Sequence, residues 1–94
     1  TIALFGFPNY AQVGINNIDP KASLDITATN QANPSNTDGL LIPRIDTFPT
    51  TNPTAAQQGM LVYLTTTSGS NNPGYYYWDN NAGPAAWVGV FRDE

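Results

Sequence analysis

The chain has 94 residues, a net charge of −4, no cysteine and no histidine. That length suits one small domain with a modest core, and the missing residue types exclude disulfide frameworks, Cys or His metal sites and relays built on imidazole or thiolate. Its cations are Lys21, Arg44 and Arg92, too few to neutralise a run of phosphates, so neither nucleic acid nor anionic lipid is an expected partner.

The large aliphatics with Phe make up about 21% of the chain, at the edge of the range where burial struggles to offset ordering entropy. Asn and Thr supply roughly a quarter, a composition that favours turns and short strands. Residues 1–11 read as the tail of a secretory signal peptide, with Ile2 to Phe7 as its apolar stretch and cleavage after Ala11, or else as an N-terminal hydrophobic plug. The run is far too short to span a bilayer.

Val13/Ile15 and Ala22/Leu24/Ile26 are period-two apolar sets separated by an Asn-Asn-x-Asp-Pro turn, which predicts two short strands, each with one buried face. Residues 27–38 contain nothing larger than Ala to bury and read as a polar loop. It closes a shaft-like strand segment, 12–38, ahead of a small β module, 39–94. Asn33-Pro34-Ser35 and Asn52-Pro53-Thr54 resemble glycosylation acceptors, but the central Pro disqualifies both.

Gly39 to Ile45 reads as a strand whose Pro43 confines it to an edge or a bulge. Asn52 to Gly59, with Asn52 as cap, Pro53 at the first helical position and Gly59 as stop, supports at most one short helical turn or two. Met60–Leu64, Tyr75–Trp78 and Trp87–Phe91 then follow as strands separated by polar Asn/Gly/Pro turns, the spacing of an antiparallel meander.

Val13-Gly14-Ile15-Asn16, followed by Pro20, Ala22, Leu24, Asp25 and Ile26, resembles a V-G-I-N…P-x-A-x-L-D-I segment found in phage tail fibres and bacterial surface fibres. Gly39-Leu40-Leu41-Ile42-Pro43-Arg44, then Gly59-Met60-Leu61-Val62-Tyr63, Tyr75-x-Tyr77-Trp78 and Trp87-Val88, is similar to the block that often follows it in those fibres. The resemblance covers nearly everything after Gln12. It implies a secreted, β-rich, homotrimeric module that serves as a fibre shaft or receptor-binding tip, and it implies no catalytic residue. Independently, a chain short of large aliphatics can complete its core by sharing it about a symmetry axis. Val13, Ile15, Leu24, Ile26, Leu61 and Tyr63 are the candidate oligomer-core residues.

The aromatic strand is the sharpest alternative feature, because Tyr75 and Tyr77 face one side while Tyr76 and Trp78 face the other. Both pairs filling the core and the subunit interface is one reading. The other is a carbohydrate-binding module, in which Tyr76, Trp78 and Trp87 stack on a sugar face while Asp79 and Asn80 bond its hydroxyls. Asp19, Asp38, Asp46 and Asp79 stand singly and match no calcium loop. A carboxylate pair such as Asp38 with Asp46 has the groups that glycoside hydrolysis requires, but nothing in the sequence perturbs either. Arg44 is expected to pair with Asp46 or with an Asp of a neighbouring chain, and Lys21 to be solvated.

The expectation is therefore a mainly β, non-enzymatic structural module without cofactor or metal. It would belong to a trimeric fibre or cell-surface adhesin, secreted to the cell surface or carried on a virion, with a surface glycan or receptor as the further candidate partner and no membrane span.

Overall fold

The structure, a computed structural model, describes residues 12–90. The expected signal remnant or plug at 1–11 lies outside the described residues, as do Phe91 and Arg92. The chain divides into two compact units, Thr1–Leu40 and Leu41–Glu94. Both are built from short strands, and the second also holds a single turn of helix, as the mainly β expectation required.

The first unit holds β1 (Val13–Ile15) and β2 (Leu24–Ile26). They pair in parallel, with Val13 opposite Leu24 and Ile15 opposite Ile26. Parallel neighbours usually need a crossover of about a dozen residues or more, yet here residues 16–23 suffice. Two features allow it. Asn16 takes the left-handed conformation, φ 60°, which Asn tolerates better than other residues with a side chain, and so turns the chain sharply after β1. Gly14 then lets the returning backbone pass close above β1, since a Cβ at that position would sit 2.1 Å from the Asn17 carbonyl oxygen.

Polar side chains fasten the crossover. Asn17 accepts the Asp19 amide (2.8 Å) and donates to the Thr27 hydroxyl (3.1 Å), while Asp25 accepts the Lys21 amide (2.8 Å). The two strands were expected each to bury one face. Instead no residue of this ribbon is buried, because neither strand has a second layer of described residues to pack on.

Residues 27–39 form an ordered polar loop around Asp38. Its carboxylate accepts the Thr29 hydroxyl (2.6 Å), the Ser35 amide (2.8 Å) and the Thr29 amide (3.1 Å). Those bonds, the Thr29 hydroxyl first, hold the Asp38 carboxyl below its ordinary pKa.

The second unit is a four-stranded sheet in the order β3 (Arg44–Ile45), β4 (Leu61–Leu64), β5 (Gly74–Asp79), β6 (Ala86–Val90). The meander β4–β5–β6 is antiparallel, as the spacing predicts. β3 is shorter than expected and runs parallel to β4, with Arg44 opposite Tyr63 and Ile45 opposite Leu64. Pro43 still contributes its carbonyl to the Tyr63 amide (3.0 Å), but it has no N–H to extend the ladder and stands at the edge of the sheet.

Between β3 and β4 lies one 3₁₀ turn, Ala55–Gln57. Its cap is Thr54 rather than Asn52. The Thr54 hydroxyl accepts the Ala56 amide (3.2 Å) while the Gln57 side chain accepts the Thr54 amide (2.8 Å), a reciprocal pair that satisfies donors a helix start leaves free. Gly59, at φ 86°, then swings the chain into β4 and donates its amide to Trp78 O (2.8 Å).

Candidate functional site

Register assigns every sheet side chain of the second unit to one of two faces. On one face Val62, Leu64, Tyr76 and Trp78 are buried, with Ile45, Phe48 and Trp87 packed against the cluster. Phe48 arrives from the loop after β3, stacks on Trp87 at 5.1 Å and meets Tyr76 edge-on at 5.2 Å. Trp78, only 1% exposed, donates its indole N–H to the Asn80 side chain (3.3 Å), and the Tyr76 hydroxyl donates to Asn72 O (2.5 Å). The indole N–H of Trp87 is buried without an acceptor among the described residues.

This placement corrects the aromatic platform. Tyr76 and Trp78 are core residues with no free ring face, and Trp87 is half-buried between Phe48 and Trp78. Asp79 and Asn80 are engaged by Gln58, whose amide nitrogen donates to the Asp79 carboxylate (3.1 Å) and whose oxygen accepts the Asn80 amide (2.6 Å). The polar partners proposed for a sugar thus close the end of β5 onto the turn before β4.

The other described carboxylates are likewise engaged within the chain. Asp46 accepts the Thr65 hydroxyl (2.6 Å) and leaves Arg44 without an ion pair among the described residues, so the expected pairing of Arg44 with Asp46 does not form. Lys21 pairs with Asp19, both largely solvated. Among the described residues no cluster of three or more His, Cys, Asp or Glu could hold a metal ion, and no helix is long and apolar enough to cross a membrane.

What stands open is apolar. In the ribbon, Val13, Ile15, Leu24 and Ile26 share one face in cross-strand register, with 36–51% of each exposed. Gly14 and Asp25 occupy the other face. Four branched aliphatic side chains in two facing pairs form a continuous stripe, and a two-stranded ribbon without cover is at best marginally stable in water. The four ribbon candidates are therefore brought together.

In the sheet, Leu61 and Tyr63 lie on the face opposite the core, beside Tyr75, Tyr77, Val88 and Val90. Tyr75 and Tyr77 belong to the aromatic pairs read as filling core and subunit interface, whereas Val88 and Val90 are not among the sequence candidates. Their signal was the run of consecutive apolar residues in β5 and β6, where a half-wet sheet would alternate with polar ones.

Among known proteins, a family described as "Phage tail like trimerisation region" matches residues 12–92. Among curated proteins and solved structures nothing matches the chain.

Proposed function

The chain belongs to the family of phage tail like trimerisation regions, which makes it a structural trimeric fibre module, and on that premise we propose that the β1–β2 ribbon supplies the trimer core of its first unit. Three copies turn their Val13, Ile15, Leu24 and Ile26 stripes toward a common axis, and each stripe gains from its neighbours the second layer it lacks within one chain. The observation that carries this reading is the exposure of all four side chains on one face in strict register. Association removes from water apolar surface that folding alone leaves wet.

The module acts by holding three chains together and performs no chemistry of its own. Among the described residues the carboxylates are engaged in hydrogen bonds within the chain, and no nucleophile–base pair is formed. It serves in an extracellular fibre, on a virion or at a cell surface. Light scattering from the purified chain tests the assembly: a mass three times the 10.1 kDa of one chain is expected, and a monodisperse monomer at micromolar concentration overturns it.

A further inference from the structure

An antiparallel sheet with one face in water alternates apolar and polar residues along each strand. Leu61-Val62-Tyr63-Leu64 and Tyr75-Tyr76-Tyr77-Trp78 do not alternate, which is the pattern of strands covered on both sides. On the core side the cover comes from the same chain, with Phe48 of the loop after β3 packed over Tyr76 and Trp87. On the other side Leu61, Tyr75 and Val90 remain 42%, 47% and 50% exposed. Among the described residues the formal charges of this face stand at its margins, Arg44 on the edge strand β3 and Asp79 at the end of β5. The surface also has relief, since a hollow of about 290 Å³ opens among Leu41, Ile42, Arg44, Tyr63 and Tyr75.

The geometry points to this open sheet face as a second contact between copies, independent of the ribbon stripe. A neighbouring copy of the same chain covers Leu61, Tyr75 and Val90, and its side chains enter the hollow. The inference rests on the trimeric reading above and extends it to the second unit.

Three observations select another copy as the occupant. The matched trimerisation region runs through residue 92 and so contains β4, β5 and β6. Copies of a chain of net charge −4 repel one another, so a contact between them is least opposed through an uncharged surface, and the centre of this face carries no charge. A three-fold contact is heterologous, so it joins two different parts of one surface. The hollow beside β3 and the half-exposed Val90 on β6, at opposite edges of the sheet, are such a pair. Tyr63, Tyr75 and Tyr77 suit the role because their rings exclude water while their hydroxyls remain available to bond across the contact.

The chain has no cysteine, so one introduced thiol reports only its own site. Val90→Cys and Leu61→Cys are compared with Thr51→Cys, in an exposed loop, by their rates of reaction with a maleimide. Each is measured while sedimentation shows trimer and again after dilution to monomer, with unchanged Trp fluorescence as the check on folding. Thr51→Cys is expected to react alike in both states. Val90→Cys and Leu61→Cys are expected to react roughly tenfold or more slowly in the trimer and to recover on dilution, because thiol reactivity follows exposure. A trimer in which both react as fast as Thr51→Cys overturns this inference and leaves the ribbon contact standing. Rates that stay slow after dilution overturn it too, since the cover would then come from the same chain. A chain that never trimerises overturns both readings.

Discussion

Replacing Leu24 by Ala tests the ribbon contact with a magnitude set by the structure. Leu24 is 50% exposed within one chain. Full burial of a Leu side chain contributes about 1.5–3 kcal/mol, so the half left for assembly is worth about 1 kcal/mol per chain and about 3 kcal/mol per trimer. Alanine keeps only the Cβ and forfeits most of that. At about 1.4 kcal/mol per factor of ten, the trimer–monomer equilibrium constant weakens by about a hundredfold. The concentration at the midpoint of dissociation varies as the square root of that three-body constant, so it rises by about tenfold on the same arithmetic. Sedimentation equilibrium over a dilution series measures the shift directly. Ser23→Ala is the control, because Ser23 is exposed and contributes only its carbonyl, to the Val13 amide. If Leu24→Ala holds its trimer to the same dilution as Ser23→Ala, the stripe faces water in the assembly and the reasoning fails.

Three other outcomes follow from the same geometry. Gly14→Ala places a Cβ 2.1 Å from a backbone oxygen that no side-chain rotation can relieve, at a cost of about 1–3 kcal/mol or more; loss of the trimer with unchanged Trp78 fluorescence is expected, and a trimer of wild-type stability would show that the crossover does not pass over Gly14. Trp78→Ala removes the largest fully buried side chain and costs about 3–5 kcal/mol, so cooperative thermal unfolding of the sheet should be lost or sharply lowered; a melting curve like that of wild type would place Trp78 outside the core. Asp38 is held in its charged form by the Thr29 and Ser35 donors, so its folded pKa lies below the unfolded one. The support it gives its loop is complete above the unfolded value and disappears as pH falls through the depressed folded value. The Thr29 and Ser35 amide resonances should therefore titrate together below the ordinary carboxylate range and stop titrating in Asp38→Asn, whereas a midpoint at or above that range contradicts the hydrogen bonding.

Apolar runs set between polar turns were enough to place β4, β5 and β6, and period-two spacing was enough to gather Val13, Ile15, Leu24 and Ile26 on one face. It carries no information on strand direction, since a parallel and an antiparallel pair show the same alternation. The parallel pairing of β1 with β2 depends instead on Asn16 at positive φ and on a backbone that closes over Gly14, both of them three-dimensional facts. The apolar run Gly39–Ile45 looked like a longer strand, but Pro43 and pairing on one side alone leave a ladder of Arg44 and Ile45.

That Tyr75 and Tyr77 face one side and Tyr76 and Trp78 the other was equally plain, but which face would be core was not. That choice is made by Phe48, a loop residue whose arrival over Tyr76 and Trp87 has no local signature. The same contact explains why Tyr76 and Trp78 became core while Tyr75 stayed open. Family membership adds what burial within one chain does not supply, the number of copies over which the open apolar surface is shared.

Symmetric contact of three copies along the β1–β2 ribbon sets both the number of chains and the spacing between them. A spin label on Ser23→Cys, next to the stripe in a chain otherwise free of thiols, reports both copy number and symmetry through pulsed dipolar spectroscopy. One short interspin distance with the modulation depth of three coupled spins is the expected result; a two-spin depth, two unequal distances or no dipolar coupling at all would contradict the account.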